Sequence, residues 1–183
     1  MKKLIGASVL AIAMTSTAAY ADEDDTDTFE ISATVQQECS LENPDDVSYG
    51  ALSIDEDAGE TALLLTTDFD NRFQDVWASC NFPTNITIST ENNGLVNQDQ
   101  TNNGPDATDF TDELEYRVFF QAQNIDDVFY VTAQNPSNRT KAQQPFHELA
   151  QIRTVIQGPD GDNPNRPLAG TYVDRVTIAL GPL

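Results

Sequence analysis

The sequence predicts an all-β fold, an antiparallel sandwich of short strands. Three observations carry this expectation. Apolar residues recur at every second position in several short segments, Gly, Pro, Asn and Asp cluster between those segments, and almost nothing repeats with a helical period.

The first residues stand apart from that pattern. Met1-Lys2-Lys3 precedes an apolar stretch from Leu4 to Met14, and small residues follow as far as Ala19-Tyr20-Ala21. Two lysines, a short apolar core and an A-x-A end make residues 1–21 a Sec-type signal peptide, with cleavage expected after Ala21. The apolar core is too short to span a bilayer, which takes roughly 20 residues. Residues 1–21 hold two lysines and no acid, so their removal leaves 162 residues with 7 basic and 30 acidic side chains, a formal charge of −23. That is one ordinary domain. So negative a surface repels nucleic acid and anionic lipid. No later segment is long and apolar enough for membrane insertion.

Asp22 to Thr28 is a charge run, expected to be disordered when free. In Phe29-Glu30-Ile31-Ser32-Ala33-Thr34-Val35-Gln36 the apolar residues alternate, as in a strand with one buried face. Asn43-Pro44-Asp45-Asp46 signals a turn. Val47 to Leu52 reads as a short strand, Asp55 to Glu60 as an acidic loop, and Thr61 to Thr67 as apolar and β-branched. Asp75 to Cys80 is a further strand, broken by Pro83, and Ile86 to Thr90 alternates again. Glu91 to Asp109 reads as a long polar loop. Strands are expected at Leu114–Phe120 and Val128–Val131, with a loop from Asn135 to Pro145. Phe146 to Ile152 fits either one helical turn or a strand entry, and Thr154 to Ile156 is extended. Gly158 to Pro167 is a turn cluster. Tyr172 to Leu180 reads as a last strand carrying Tyr172, Val176, Ile178 and Leu180 at even spacing, and the sequence stops three residues later.

Cys39 and Cys80 are the two cysteines. In an exported chain they are expected to form a disulfide, with two free buried thiols as the alternative. Two cysteines and one histidine do not supply a four-ligand zinc site. His147 is the sole histidine and hence the sole candidate base for a Ser–His–acid triad, but no G-x-S-x-G accompanies it, which favours a surface histidine. Acid-rich stretches at Asp22–Asp27, Asp55–Glu60 and Asp160–Asn165 lack the spacing of a calcium loop. Thirty acids make any one carboxylate pair uninformative for glycoside hydrolysis. Neither a Walker loop nor G-x-G-x-x-G occurs. Asn85-Ile86-Thr87 and Asn138-Arg139-Thr140 are sequons that chance explains in so Asn- and Thr-rich a chain. No catalytic residue, metal or cofactor is expected.

Three patches together resemble the spore coat protein U domain, also the subunit domain of archaic chaperone–usher pili. They are Phe29 to Val35 leading to Cys39 and then Val47-Ser48-Tyr49-Gly50; Cys80 followed by an alternating strand; and the closing Ala169-Gly170-Thr171-Tyr172-Val173-Asp174-Arg175-Val176-Thr177-Ile178. Leu114-Glu115-Tyr116 sits where the family has L-x-Y. The mid-chain Trp-Gly of many members is missing.

The resemblance implies an immunoglobulin-like antiparallel β-sandwich that is incomplete, lacking its final strand. Residues 39–183 would form the sandwich, after an acidic segment and donor strand within 22–38. Strand Tyr172–Leu180 would edge an acceptor groove, filled first by a periplasmic chaperone and then by the N-terminal strand of another subunit. Phe29, Ile31, Ala33 and Val35 would be the donor side chains, although alternation alone fits equally well a first strand of the chain's own sandwich. The implied function is that of a structural subunit of a secreted pilus or surface coat, supporting adhesion or biofilm formation. Its partners would be a periplasmic chaperone, an outer-membrane usher and copies of itself or related subunits. It would pass through the periplasm to the cell surface. The alternatives are a self-contained secreted sandwich binding carbohydrate or calcium and, more weakly, an exported enzyme.

Overall fold

The computed structural model describes residues 27–66, 70–132, 138–156, 158 and 163–183. The leader, most of the 22–28 charge run and much of the Gly158–Pro167 cluster lie outside the described residues. The chain divides into two units, Met1–Val35 and Gln36–Leu183. In the first, residues 27–35 hold no strand, and Phe29, Ile31 and Val35 are 82–84% exposed.

The second unit contains β1 (Cys39–Leu41), β2 (Asp70–Cys80), β3 (Thr84–Thr90), β4 (Leu95–Asn97), β5 (Phe110–Thr111), β6 (Glu113–Leu114) and β7 (Tyr116–Ala122). It continues with β8 (Ile125–Val131), β9 (Asn138–Gln143), β10 (Phe146–Ile156), β11 (Arg166–Pro167), β12 (Tyr172–Val173) and β13 (Val176–Pro182). No α-helix occurs among the described residues. One sheet runs β1-β2-β10-β7-β8 and the other β13-β3-β9, both antiparallel throughout. A small β12-β4-β6 sheet and a short parallel pairing of β11 with β5 complete the pattern.

Strand alternation builds the core. Successive side chains point to opposite faces, so Val76, Ala78, Val118, Phe120, Val128, Tyr130, Ala150 and Ile152 leave the five-stranded sheet on one side. They form one buried cluster with Ile86 and Ile88 of β3. Each Val, Ile or Phe side chain among them contributes about 1.5–3 kcal/mol on leaving water.

The order identifies the topology. An immunoglobulin-like sandwich places strands A, B, E and D in one sheet and C, F and G in the other. Here β1-β2-β10-β7 correspond to A-B-E-D, and β3 and β13 to C and F. Among the described residues no strand occupies the place of G beside β13.

Several segments depart from the sequence expectation. Val47–Leu52 is not a strand. Tyr49 and Leu52 instead pack on the core individually, and the Tyr49 hydroxyl donates to Thr154 Oγ1 at 2.8 Å under the Arg72 guanidinium. Residues 61–63 form a turn, with Leu63 at φ 66°, and Leu65 bridges to Ile54. The Asp55 carboxylate folds this loop on itself by accepting from Thr61 Oγ1 and Asp57 N, which also lowers its pKa. Asn138–Gln143, expected within a loop, is a polar strand held by pairing with β3. Phe146–Ile152 belongs wholly to β10. The polar stretch Glu91–Asp109 includes β4. The expected Leu114–Phe120 strand divides at Glu115, whose N–H and C=O are taken by the buried Asn163 amide.

The buried Tyr116 and the half-buried Tyr49 make stability sensitive to alkali. Burial pushes Tyr49 up to about 12, and burial with the neighbouring Asp174 carboxylate raises Tyr116 further. An unfolded tyrosine titrates near ~10, so the stabilisation is complete below that pH and is lost as pH rises through the folded-state values. Thermal melts from about pH 9 to pH 12 are expected to show a falling midpoint above ~10, and Tyr49→Phe is expected to flatten part of that fall.

Candidate functional site

The sandwich closes differently along its two flanks. Along one, β8 and β9 meet, and the buried Gln143 amide joins them: its Oε1 accepts from Asp126 N, and its Nε2 donates to Asp126 O. Along the other flank lie β1 and β13, the end strands of their sheets. Each is hydrogen-bonded to one neighbour among the described residues.

Register decides which backbone groups remain open. Glu42 N donates to Trp77 O and Asn81 N to Glu38 O, so Ser40 is the strand residue bonded to β2. By the alternation of an antiparallel ladder, the N–H and C=O of Cys39 and Leu41 face away from β2. Glu91 N donates to Arg175 O, so Thr177, Ala179 and Gly181 bond β3, and the N–H and C=O of Val176, Ile178 and Leu180 face the free edge. The side chains of Leu41, Phe146, Val176, Ile178 and Leu180 are partly buried against the core. The flank thus presents two open backbone edges over apolar side chains that water still reaches.

Both walls are anchored. Cys39 and Cys80 form a disulfide between residues directly opposite in the β1–β2 register, with Cα atoms 4.2 Å apart. β13 is fastened at its far end by the Thr84 hydroxyl, which donates to Gly181 O, and by Asn85 Nδ2, which donates to Pro182 O at 3.2 Å.

Not every residue expected on the edge is there. Val176, Ile178 and Leu180 lie on β13, but Tyr172 belongs to β12 and pairs with Asn97 of β4. Its hydroxyl donates to Leu168 O at 2.7 Å. The expected single strand breaks at Asp174, whose Oδ1 accepts from Asn92 N and Arg175 N and whose Oδ2 accepts from the Tyr116 hydroxyl. Those bonds turn the chain from the small sheet into the β13 edge. Neither Leu41 nor Phe146 was expected on the groove. Leu41 carried a signal, standing two residues after Cys39 and so on the same strand face. Phe29, Ile31, Ala33 and Val35 are exposed and unpaired. Residues 29–36 carry no strand, and the first strand among the described residues is β1.

His147 stands on the outer sheet face, its ring 4.9 Å from that of Trp77. Among the described residues no group of three or more His, Cys, Asp or Glu side chains is placed to hold a metal ion.

The spore coat protein U domain model matches residues 25–179. The chain belongs to the spore coat protein U domain family. No curated protein matches it. Among solved structures it is similar to the chaperone–tip adhesion subunit pre-assembly complex from archaic chaperone–usher Csu pili of Acinetobacter baumannii, at 19% identity and a TM-score of 0.32. That match covers 81% of this chain and 40% of the other. The family match includes the free β13 edge as far as Ala179 and the open β1 edge.

Because β1 pairs with β2 over three residues, the disulfide is its main tether. It spans 41 positions, and a loop of that size is worth about 3–4 kcal/mol. Urea unfolding of Cys39→Ala/Cys80→Ala should show a loss of that order, with amide exchange increasing first in residues 38–42.

Proposed function

We propose that this protein is a structural subunit of a secreted pilus or surface coat, polymerised by strand exchange. The observation that carries the proposal is the flank between β1 and β13, with two unpaired edges above half-buried Leu41, Val176, Ile178 and Leu180. An inserted strand would bond both edges and cover those side chains, which is β-augmentation. A periplasmic chaperone would fill the flank first, and the N-terminal segment of another subunit would replace it at an outer-membrane usher. Adhesion or biofilm formation would be the outcome at the cell surface. The family membership supports the same assignment.

Residues 29–35 suit the donor role. Phe29, Ile31, Ala33 and Val35 would face the groove and Glu30, Ser32 and Thr34 the solvent. Their present exposure means that docking would remove apolar surface from water, at roughly 1.5–3 kcal/mol for each Phe, Ile or Val side chain. Ile31→Asp would place an unpaired charge in the groove.

Fibre assembly with purified chaperone and usher tests this directly. Ile31→Asp should still form a one-to-one chaperone complex and yet block fibres, while Glu30→Ala should assemble normally. Normal fibres from Ile31→Asp would remove 29–35 as the donor.

A second measurement addresses the acceptor. A copy of residues 28–36 fused after Leu183 through a flexible linker should raise the melting temperature of the isolated subunit markedly. An unchanged midpoint would mean that the flank takes no added strand.

A further inference from the structure

The outer face of the five-stranded sheet is turned away from the core. Cross-strand register arranges it in three rows. In the first, Leu149 stands opposite Trp77, and the neighbouring His147 ring stacks on the indole with 14° between planes. In the second, Asp75 faces Gln151, and Gln151 faces Gln121, which donates to Asp127 Oδ2 at 2.9 Å. In the third, Phe73, Arg153, Phe119 and Phe129 succeed one another across four strands. There the Arg153 guanidinium lies 4.0 Å over the Phe119 ring, and Phe119 stacks on Phe129 at 6.1 Å.

Strand geometry separates the first and third rows by about 13 Å, four residues at ~3.3 Å each. Trp77, Leu149, Phe73 and Phe129 are 45–58% exposed, grouped on one face. A clustered patch of this kind marks a binding surface more than scattered single residues do.

The chemistry between the rows narrows the ligand. Aromatic faces carry partial negative charge and attract electropositive C–H edges. The middle row offers two carboxylates, which accept hydrogen bonds, and two carboxamides, which donate and accept. A pyranose ring presents that combination, an apolar C–H face ringed by hydroxyls. Asp75 and Asp127 share this face with the Arg153 guanidinium, and the formal charge of −21 on the whole chain disfavours an anionic ligand.

We propose that this face binds a neutral carbohydrate chain, its rings stacked on Trp77 and on Phe73 or Phe129 and its hydroxyls bonded by the Asp75–Gln151–Gln121–Asp127 row. Its side chains stand on the sheet face opposite to that of the groove residues Leu41 and Phe146.

Trp77 is the chain's single tryptophan, so its fluorescence reports binding without a label. The mature protein would be titrated with neutral glucan and galactan oligomers and, separately, with a uronic acid oligomer. A saturable emission change with a neutral oligomer and none with the uronate is the expected result. Gln151→Ala and Leu149→Asp should each weaken the response at least tenfold at unchanged melting temperature. If Leu149→Asp fails to fold, Gln151→Ala alone decides. A flat response to every neutral oligomer, or an equal response to the uronate, overturns the proposal. So does an emission shift that follows protein concentration without sugar, which would make a second copy of the chain the occupant.

Discussion

A backbone N–H or C=O taken out of water needs a partner. At β1 and β13, Cys39, Leu41, Val176, Ile178 and Leu180 turn their peptide groups away from the one neighbour each strand has among the described residues. The same residues direct apolar side chains inward, so the open ladder and the incompletely covered core are one feature. A side chain could relieve neither alone. A strand relieves both, because its peptide groups and its alternate side chains arrive together.

Elsewhere the molecule solves the same problem with amide side chains. Gln143 joins β8 to β9, Asn163 occupies the break at Glu115, and Asn97 accepts from Asp99 N and Gln100 N while donating to Leu168 O and Ala169 O. All three are buried. Each supplies one donor and one acceptor where the chain cannot supply a strand.

What the sequence disclosed follows from which forces are local. Period-2 alternation marked β3, and strand segments were legible within β2, β7 and β8. It missed β9, where pairing with β3 is made by backbone groups and no apolar face is needed. It overcalled Val47–Leu52, where Tyr49 and Leu52 are buried singly by side-chain contacts from a distance of a hundred residues. It joined Tyr172 to β13, because even spacing carries no sign of the turn that Asp174 fixes. The closing Ala169-Gly170-Thr171-Tyr172 motif was legible as a pattern and now has a cause. Gly170 has φ 150°, and a Cβ there would come within 2.5 Å of Asn97 Oδ1. The outer aromatic rows were invisible beforehand, since they join residues of four strands that only register brings together.

The position of the disulfide has a mechanical consequence. In a fibre held by an inserted strand, tension along the axis would load the β1 and β13 ladders lengthwise, so that their hydrogen bonds share the force and yield together. β1 has three pairs with β2, too few to resist as a zipper opened from one end. Cys39 and Cys80 link the outermost strand covalently to an eleven-residue strand, which would carry the pull from the rim of the sheet into its interior. The cross-link would then set the subunit's tensile strength as well as its stability at rest.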